Sequence, residues 1–126
     1  MYDGTADQLS VSFPATEQFL RLGRVTVSGL ALRLGVELSL VERLRLAIDA
    51  AVQQLRGAGV ITLQASWEPG HLAIDLENLE VIIDQAAAAA LTNDLTPLVD
   101  HVQINQSHIA LAIEDPAAFQ PSTAQP

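Results

Sequence analysis

The side chains here that could do chemistry are three imidazoles and a short series of carboxylates. His71, His101 and His108 could ligate a metal or carry a proton, but no two stand at H-x-x-x-H spacing. Their expected places are a turn, a helix end and a strand, where surface or capping roles follow. A protonated His101 at a helix C-terminus would be favoured by the dipole. Asp75, Glu77 and Glu80 are close enough in sequence to suggest paired carboxylates. Asp75 and Glu77, however, share the polar side of an alternating segment, which reads as a solvated strand face. No serine sits in G-x-S-x-G, so a hydrolase triad has no support. The absence of cysteine excludes disulfides, thiolate metal sites and cysteine nucleophiles.

These residues must be positioned by elements whose periods are plain. Gln8 to Phe13 alternates, with Leu9, Val11 and Phe13 on one side, and Pro14 stops it, which predicts a half-buried strand. Leu20, Val27, Leu30, Ala31 and Leu34 recur at helical spacing, predicting a helix from about Glu17 to Leu34 with Thr16 as N-cap and Gly35 as its stop. A second helix is expected after Ser39, with Glu42 completing a capping box, and ends near Gly57. Its buried stripe is Leu40, Leu44, Ile48, Ala51 and Leu55, with Ala47, Ala50 and Gln54 on the neighbouring stripe. Beyond Gly59 the period becomes two: Ile61, Leu63, Ala65 and Trp67, then Leu72, Ile74 and Leu76 after Pro69-Gly70, a β-hairpin. Trp67 at a strand end reads as a core edge. The Ala86–Ala90 run predicts a helix within Leu79 to Asn93, and Thr96-Pro97 an N-cap and first-turn proline for a further short helix. Two short strands around Asn105-Gln106-Ser107 close the order.

With 126 residues, 49% of them hydrophobic and 17% charged, the chain has material for one core. The expected division is a flexible N-terminus over 1–7, a single domain over 8–115 and a disordered tail over 116–126, rich in Pro, Ala and Gln. Net charge is −9, and all six basic residues (Arg21, Arg24, Arg33, Arg43, Arg45, Arg56) precede Gly57. The nine carboxylates after Gly57 make that half acidic, which argues against binding nucleic acid or an anionic membrane. No apolar run is long enough to span a bilayer and no signal-peptide pattern opens the chain, so a cytoplasmic protein is expected.

The run Leu44-Arg45-Leu46-Ala47-Ile48-Asp49-Ala50-Ala51-Val52-Gln53-Gln54-Leu55 resembles the signature helix of the anti-sigma-factor serine kinases, a branch of the GHKL ATPase superfamily. The opening Phe13-Pro14-Ala15, the paired helices, the hairpin and Leu98-Val99-Asp100-His101-Val102 extend the likeness over most of residues 8–114. The resemblance implies an α+β, two-layer α/β sandwich: a mostly antiparallel mixed sheet with helices on one face, in a histidine-kinase-like ATPase fold with a shortened lid. It also marks the losses. The family's activating Glu falls on Ala50, whose methyl group accepts no proton, and its magnesium-holding Asn on Gln54, whose amide is one methylene too far out. The Asp of D-x-G-x-G, which accepts from adenine, falls on Asn78, and its first Gly on Glu80, which would bring bulk and negative charge into nucleotide space. The Asn78–Asp94 interval has no glycine to wrap phosphate oxygens. Asp49, about 100° around the helix from Ala50, faces away and reads as a solvated carboxylate.

The function so implied is an anti-sigma-factor-like regulatory protein of bacterial partner switching, acting by protein binding with kinase activity lost. No cofactor and no metal are expected. The implied partner is a sigma factor or an anti-sigma antagonist, with a homodimer, and the helix-one residues Arg21 and Arg24 are the candidate contacts. Two other readings stay open: an ATP-dependent serine protein kinase with a rearranged site that uses Gln54 and Asn78 with Mg-ATP, and a structural or oligomerisation domain that shares only the element order.

Overall fold

Side chains of successive strand residues point to opposite faces, so each alternating segment turns one apolar row inward. The computed structural model, which describes residues 7–116, builds five strands from them: β1 (Asp7–Pro14), β2 (Val60–Glu68), β3 (His71–Glu77), β4 (His101–Ile104) and β5 (His108–Glu114). Their order across the sheet is β1-β2-β3-β5-β4, and every neighbouring pair is antiparallel. The expected mixed sheet is therefore corrected. β3 and β4 run in the same direction, but β5 lies between them and pairs antiparallel with both. The residues expected to be a flexible start and a tail lie outside the described residues, apart from Asp7 in β1 and Pro116.

Three α-helices occur among the described residues: α1 (Arg21–Arg33), α2 (Leu38–Leu55) and α3 (Gln85–Leu95). Phe13, Ile61, Leu63, Ile74, Leu76 and Leu111 from the strands share one buried cluster with Val27, Leu44, Ile48, Val52, Leu91 and Leu95 from the helices. Trp67 packs at its edge, as expected. Burying a Leu or Ile side chain of this kind contributes about 1.5–3 kcal/mol, so this cluster is what orders the two layers. The other face of the sheet is polar and uncovered among the described residues.

The helix boundaries differ from expectation for local reasons. Thr16 makes no side-chain cap; a 3-10 turn at Glu17–Phe19 precedes α1, because Thr16 and Glu17 carbonyls bond three residues ahead. Gly35, at φ +81°, ends α1 as expected, and Val36 N–H closes back on Ala31 C=O at 3.1 Å. α2 starts before Ser39, and no capping box forms. Ser39 Oγ instead donates to Glu37 Oε1 at 2.8 Å, while Arg45 engages Glu42. Leu44, Ile48, Ala51 and Leu55 of the expected stripe are buried, Leu40 is half-buried, and Val41, Ala47 and Val52 complete the inner face. Asp115 Oδ2 accepts from Glu37 N–H at 3.2 Å, tying the start of α2 to the end of β5.

The third helix begins six residues later than the first apolar position of its segment. Leu79 to Ile83 is drawn off to the β4–β5 turn, where Ile83 N–H donates to Gln106 C=O and Ser107 Oγ to Val81 C=O. Asp84 then caps α3, its Oδ1 accepting from Ala87 N–H at 2.8 Å. The further helix expected at Thr96-Pro97 is absent: Thr96 is the C-cap of α3, with Oγ1 donating to Thr92 C=O at 2.7 Å. Proline at that point cannot supply the N–H that would continue the helix. β4 follows at His101, which is a strand residue and not the helix end expected.

Candidate functional site

Of the four positions that the resemblance marks for nucleotide, Asn78 and Glu80 lie in the loop after β3, whereas Ala50 and Gln54 lie on α2. Asn78 is 1% exposed, and both ends of its amide are hydrogen-bonded. Nδ2 donates to Leu55 C=O at 2.8 Å and to Ala58 C=O at 2.9 Å, while Oδ1 accepts from Glu80 N–H at 3.0 Å. The amide orientation follows from these partners, since two carbonyls require the donor side. The last carbonyls of a helix have no intrahelical partner. Asn78 therefore satisfies the exit of α2 and joins it to β3. Its main chain is held as well, with N–H on Ser107 C=O at 3.0 Å and C=O accepting from Val81 N–H at 3.1 Å.

Glu80 stands over Gly59. A Cβ on Gly59, whose φ is +84°, would lie 2.4 Å from Glu80 Cγ and 3.0 Å from Asn78 Oδ1. Close approach and backbone sign both demand glycine here. The concavity that remains, about 310 Å³, is lined by Gly59, Val60, Thr62, Glu77, Asn78, Leu79 and Glu80. It brings Asn78 and Glu80 together, but Ala50 and Gln54 are not among its walls. Ala50 is half-buried against the core and Gln54 is exposed in the last turn of α2. Two carboxylates, Glu77 and Glu80, border the concavity without a lining cation. Such a surface repels triphosphate.

The candidate partner contacts lie on the helical layer. Arg21 is exposed, whereas Arg24 Nη1 meets Asp49 Oδ2 at 3.3 Å, bridging α1 and α2. Asp49, its side chain 38% exposed, is the solvated carboxylate expected and also pairs with Arg24. The sequence reading passed over a second stripe on α1: Leu22, Val25, Gly29 and Leu32 recur at three- and four-residue steps on the side opposite Gly23, Val27 and Ala31. Leu22, Val25 and Leu32 are 39%, 59% and 55% exposed, and Leu46 of α2 is 52% exposed. A Cβ at Gly29 would meet nothing within 4 Å. The signal was present in that spacing, but it competes with the inner stripe on the same helix.

The three histidines, expected in unrelated places, each begin a strand and share the open face of the sheet. Glu114 Oε2 lies 2.8 Å from His71 Nδ1 and 3.2 Å from His101 Nε2, and His108 Nε2 lies 3.4 Å from Asp75 Oδ1. The hydrogen bond from His71 lowers the Glu114 carboxyl below its ordinary value, and His101 adds to the effect. Among the described residues no group of three or more His, Asp or Glu side chains could hold a metal ion. No helix there is long and apolar enough to cross a membrane. No protein-family model matches the chain, and no curated protein is significantly similar to it.

Proposed function

We propose that this chain is a regulatory protein-binding domain, an anti-sigma-factor-like relative of the serine kinases whose nucleotide chemistry has been lost. The observation that carries the reading is the outer face of α1, where Leu22, Val25 and Leu32 stand exposed on a helix whose only charged residues are Arg21, Arg24 and Arg33. Single exposed apolar residues are ordinary, but a continuous stripe edged by cations suits a partner helix with apolar and acidic residues. The partner is a sigma factor or an anti-sigma antagonist, met in the cytoplasm without bound ATP, magnesium or other cofactor.

The use of Asn78 supports the second half of this reading. An adenine amino group would have to reach Oδ1, which lies in a residue 1% exposed and already accepts from Glu80 N–H. The histidine-kinase-like ATPase fold belongs to the same proposal: it supplies the element order, the helices on one face and the location of the vacated site. Binding of purified bacterial sigma factors and antagonists, measured for the wild type and for the Val25→Glu, Leu32→Glu double variant, tests it. The expected result is a complex that the double variant loses while its circular dichroism and melting stay unchanged. Binding that survives the substitutions, or that requires Mg-ATP, would remove the reading.

A further inference from the structure

Two large apolar side chains of the loop between β3 and α3 are turned to solvent. Leu79 and Ile82 are each 76% exposed, more than any other large hydrophobic residue described. The loop that carries them is held too firmly to fold them in. Asn78 C=O accepts from Val81 N–H at 3.1 Å, a turn that leaves Leu79 and Glu80 at its tip. Turn tips favour Gly, Asn, Asp and Ser, so the turn itself gives no reason for Leu79. Ser107 Oγ donates to Val81 C=O and Ile83 N–H to Gln106 C=O, both at 2.6 Å, which ties the main chain on each side of Ile82 to the β4–β5 turn. Val81, Ile82 and Ile83 are half-buried, exposed and buried in turn, and Ile83 joins the core.

Ile82 is also one wall of a broad concavity of about 800 Å³ between the start of α3 and the β4–β5 turn, where Ile83, Ala88 and Ile104 supply apolar surface and Asp84 and Gln106 polar surface. The charge around these apolar groups has one sign. Every charged residue from Glu77 to Asp94 is a carboxylate, namely Glu77, Glu80, Asp84 and Asp94. The neighbouring side chains that can carry positive charge are engaged elsewhere. His108 Nε2 faces Asp75 Oδ1 at 3.4 Å, and Arg56 is folded back on Gln53.

We propose that Leu79, Ile82 and the adjoining concavity form a docking surface for a segment of another protein that combines aliphatic with basic side chains. The aliphatic groups of that segment cover Leu79 and Ile82 and enter the concavity, while its Lys or Arg residues meet Glu80 and Asp84. Because hydrogen bonds hold the loop in place before contact, docking orders little that is not already ordered. The carboxylates select the partner: they repel acidic proteins, nucleic acid and anionic bilayers, and a second copy presenting the same loop would set like charge against like. This surface is opposite in charge to the outer face of α1. It does not rest on the partner-binding reading of that face, and either can fail alone.

The probe is a displayed library of random peptides, selected on the wild-type protein and counter-selected on the Leu79→Glu, Ile82→Glu variant. That variant should keep the wild-type melting temperature and circular dichroism, because both side chains stand in solvent. The expected peptides carry aliphatic residues beside Lys or Arg. A synthetic copy should bind the double variant at least about tenfold more weakly than the wild type. Its affinity for the wild type should also fall about tenfold between about 0.05 and 0.5 M salt, and fall with Glu80→Gln. The Val25→Glu, Leu32→Glu variant of α1 should bind it unchanged. Enrichment of acidic or uncharged peptides, equal binding to the double variant, or no enrichment at all would overturn the proposal. So would neutral phosphatidylcholine vesicles that bind the wild type and not the double variant, or a dimer that the double variant turns into a monomer, since these would give the ridge to a lipid surface or to a second copy.

Discussion

Replacing Asn78 by Asp installs the residue type that the resemblance places at this position, and the structure predicts that it harms the protein. Asn78 makes two donated hydrogen bonds and accepts one, all from a side chain 1% exposed. A typical bond contributes about 1 kcal/mol net, and a buried carbonyl left without a donor costs about 1–3 kcal/mol. Asn78→Ala orphans Leu55 C=O and the Glu80 N–H and leaves Ala58 C=O to solvent, for a loss of about 3–4 kcal/mol. For a chain of this size that lowers Tm by roughly 12–16 °C. Asn78→Asp should lose at least as much at neutral pH, because its carboxylate would face two carbonyl oxygens. Its folded pKa is then raised above the unfolded value. The penalty is full above the raised value and shrinks as pH falls towards the ordinary aspartate range. Urea and thermal denaturation of the three proteins across pH measure this. Wild-type stability for Asn78→Asp at neutral pH, or a cost below about 1 kcal/mol for Asn78→Ala, would mean that the Asn78 amide does not hold the end of α2.

Three further outcomes follow from the same contacts. Gly59→Ala should destabilise by roughly 1–3 kcal/mol, since its Cβ would strike Glu80 at a positive φ, and a Glu80→Gly background should recover part of that loss in a denaturation series. Removing the α3 cap in Asp84→Ala should cost about 1 kcal/mol by urea denaturation, whereas Thr16→Ala, which removes no side-chain cap, should cost far less. Because the folded carboxyl of Glu114 is lowered, its contribution is present above the ordinary carboxylate range and lost as pH falls through the lowered value. Glu114→Gln should flatten the acid side of the stability profile, with the loss of the His71 contact visible in the imidazole resonances.

The hairpin of β2 and β3 was legible in the sequence because both determinants are local: a period of two and a Pro69-Gly70 turn. The inner faces of α1 and α2 were legible for the same reason, since Val27, Ala31, Leu44 and Ile48 obey a single period. What escaped depends on partners distant in the chain. Nothing near Asn78 in sequence reveals that its amide binds the carbonyls of Leu55 and Ala58. The Leu79–Ile83 segment has apolar residues fit for a helix, but its backbone bonds go to the β4–β5 turn, so the helix waits for Asp84. Thr96-Pro97 carries the same local signal whether it starts a helix or ends one, and the preceding α3 decides. Grouping the histidines needed the strand order, because Glu114 reaches His71 and His101 only once β5 lies between β3 and β4.

The most direct test of the central claim is calorimetric titration of the wild-type protein with Mg-ATP and Mg-ADP, beside the Ala50→Glu, Gln54→Asn variant. The wild type should give no binding heat and no rise in melting temperature at millimolar nucleotide, because the space and hydrogen bonds around Asn78 already serve the fold. The variant should behave in the same way, since its two new side chains lie outside the concavity beside Asn78. Saturable binding by the wild type, with a melting temperature that climbs with nucleotide concentration, would contradict that claim.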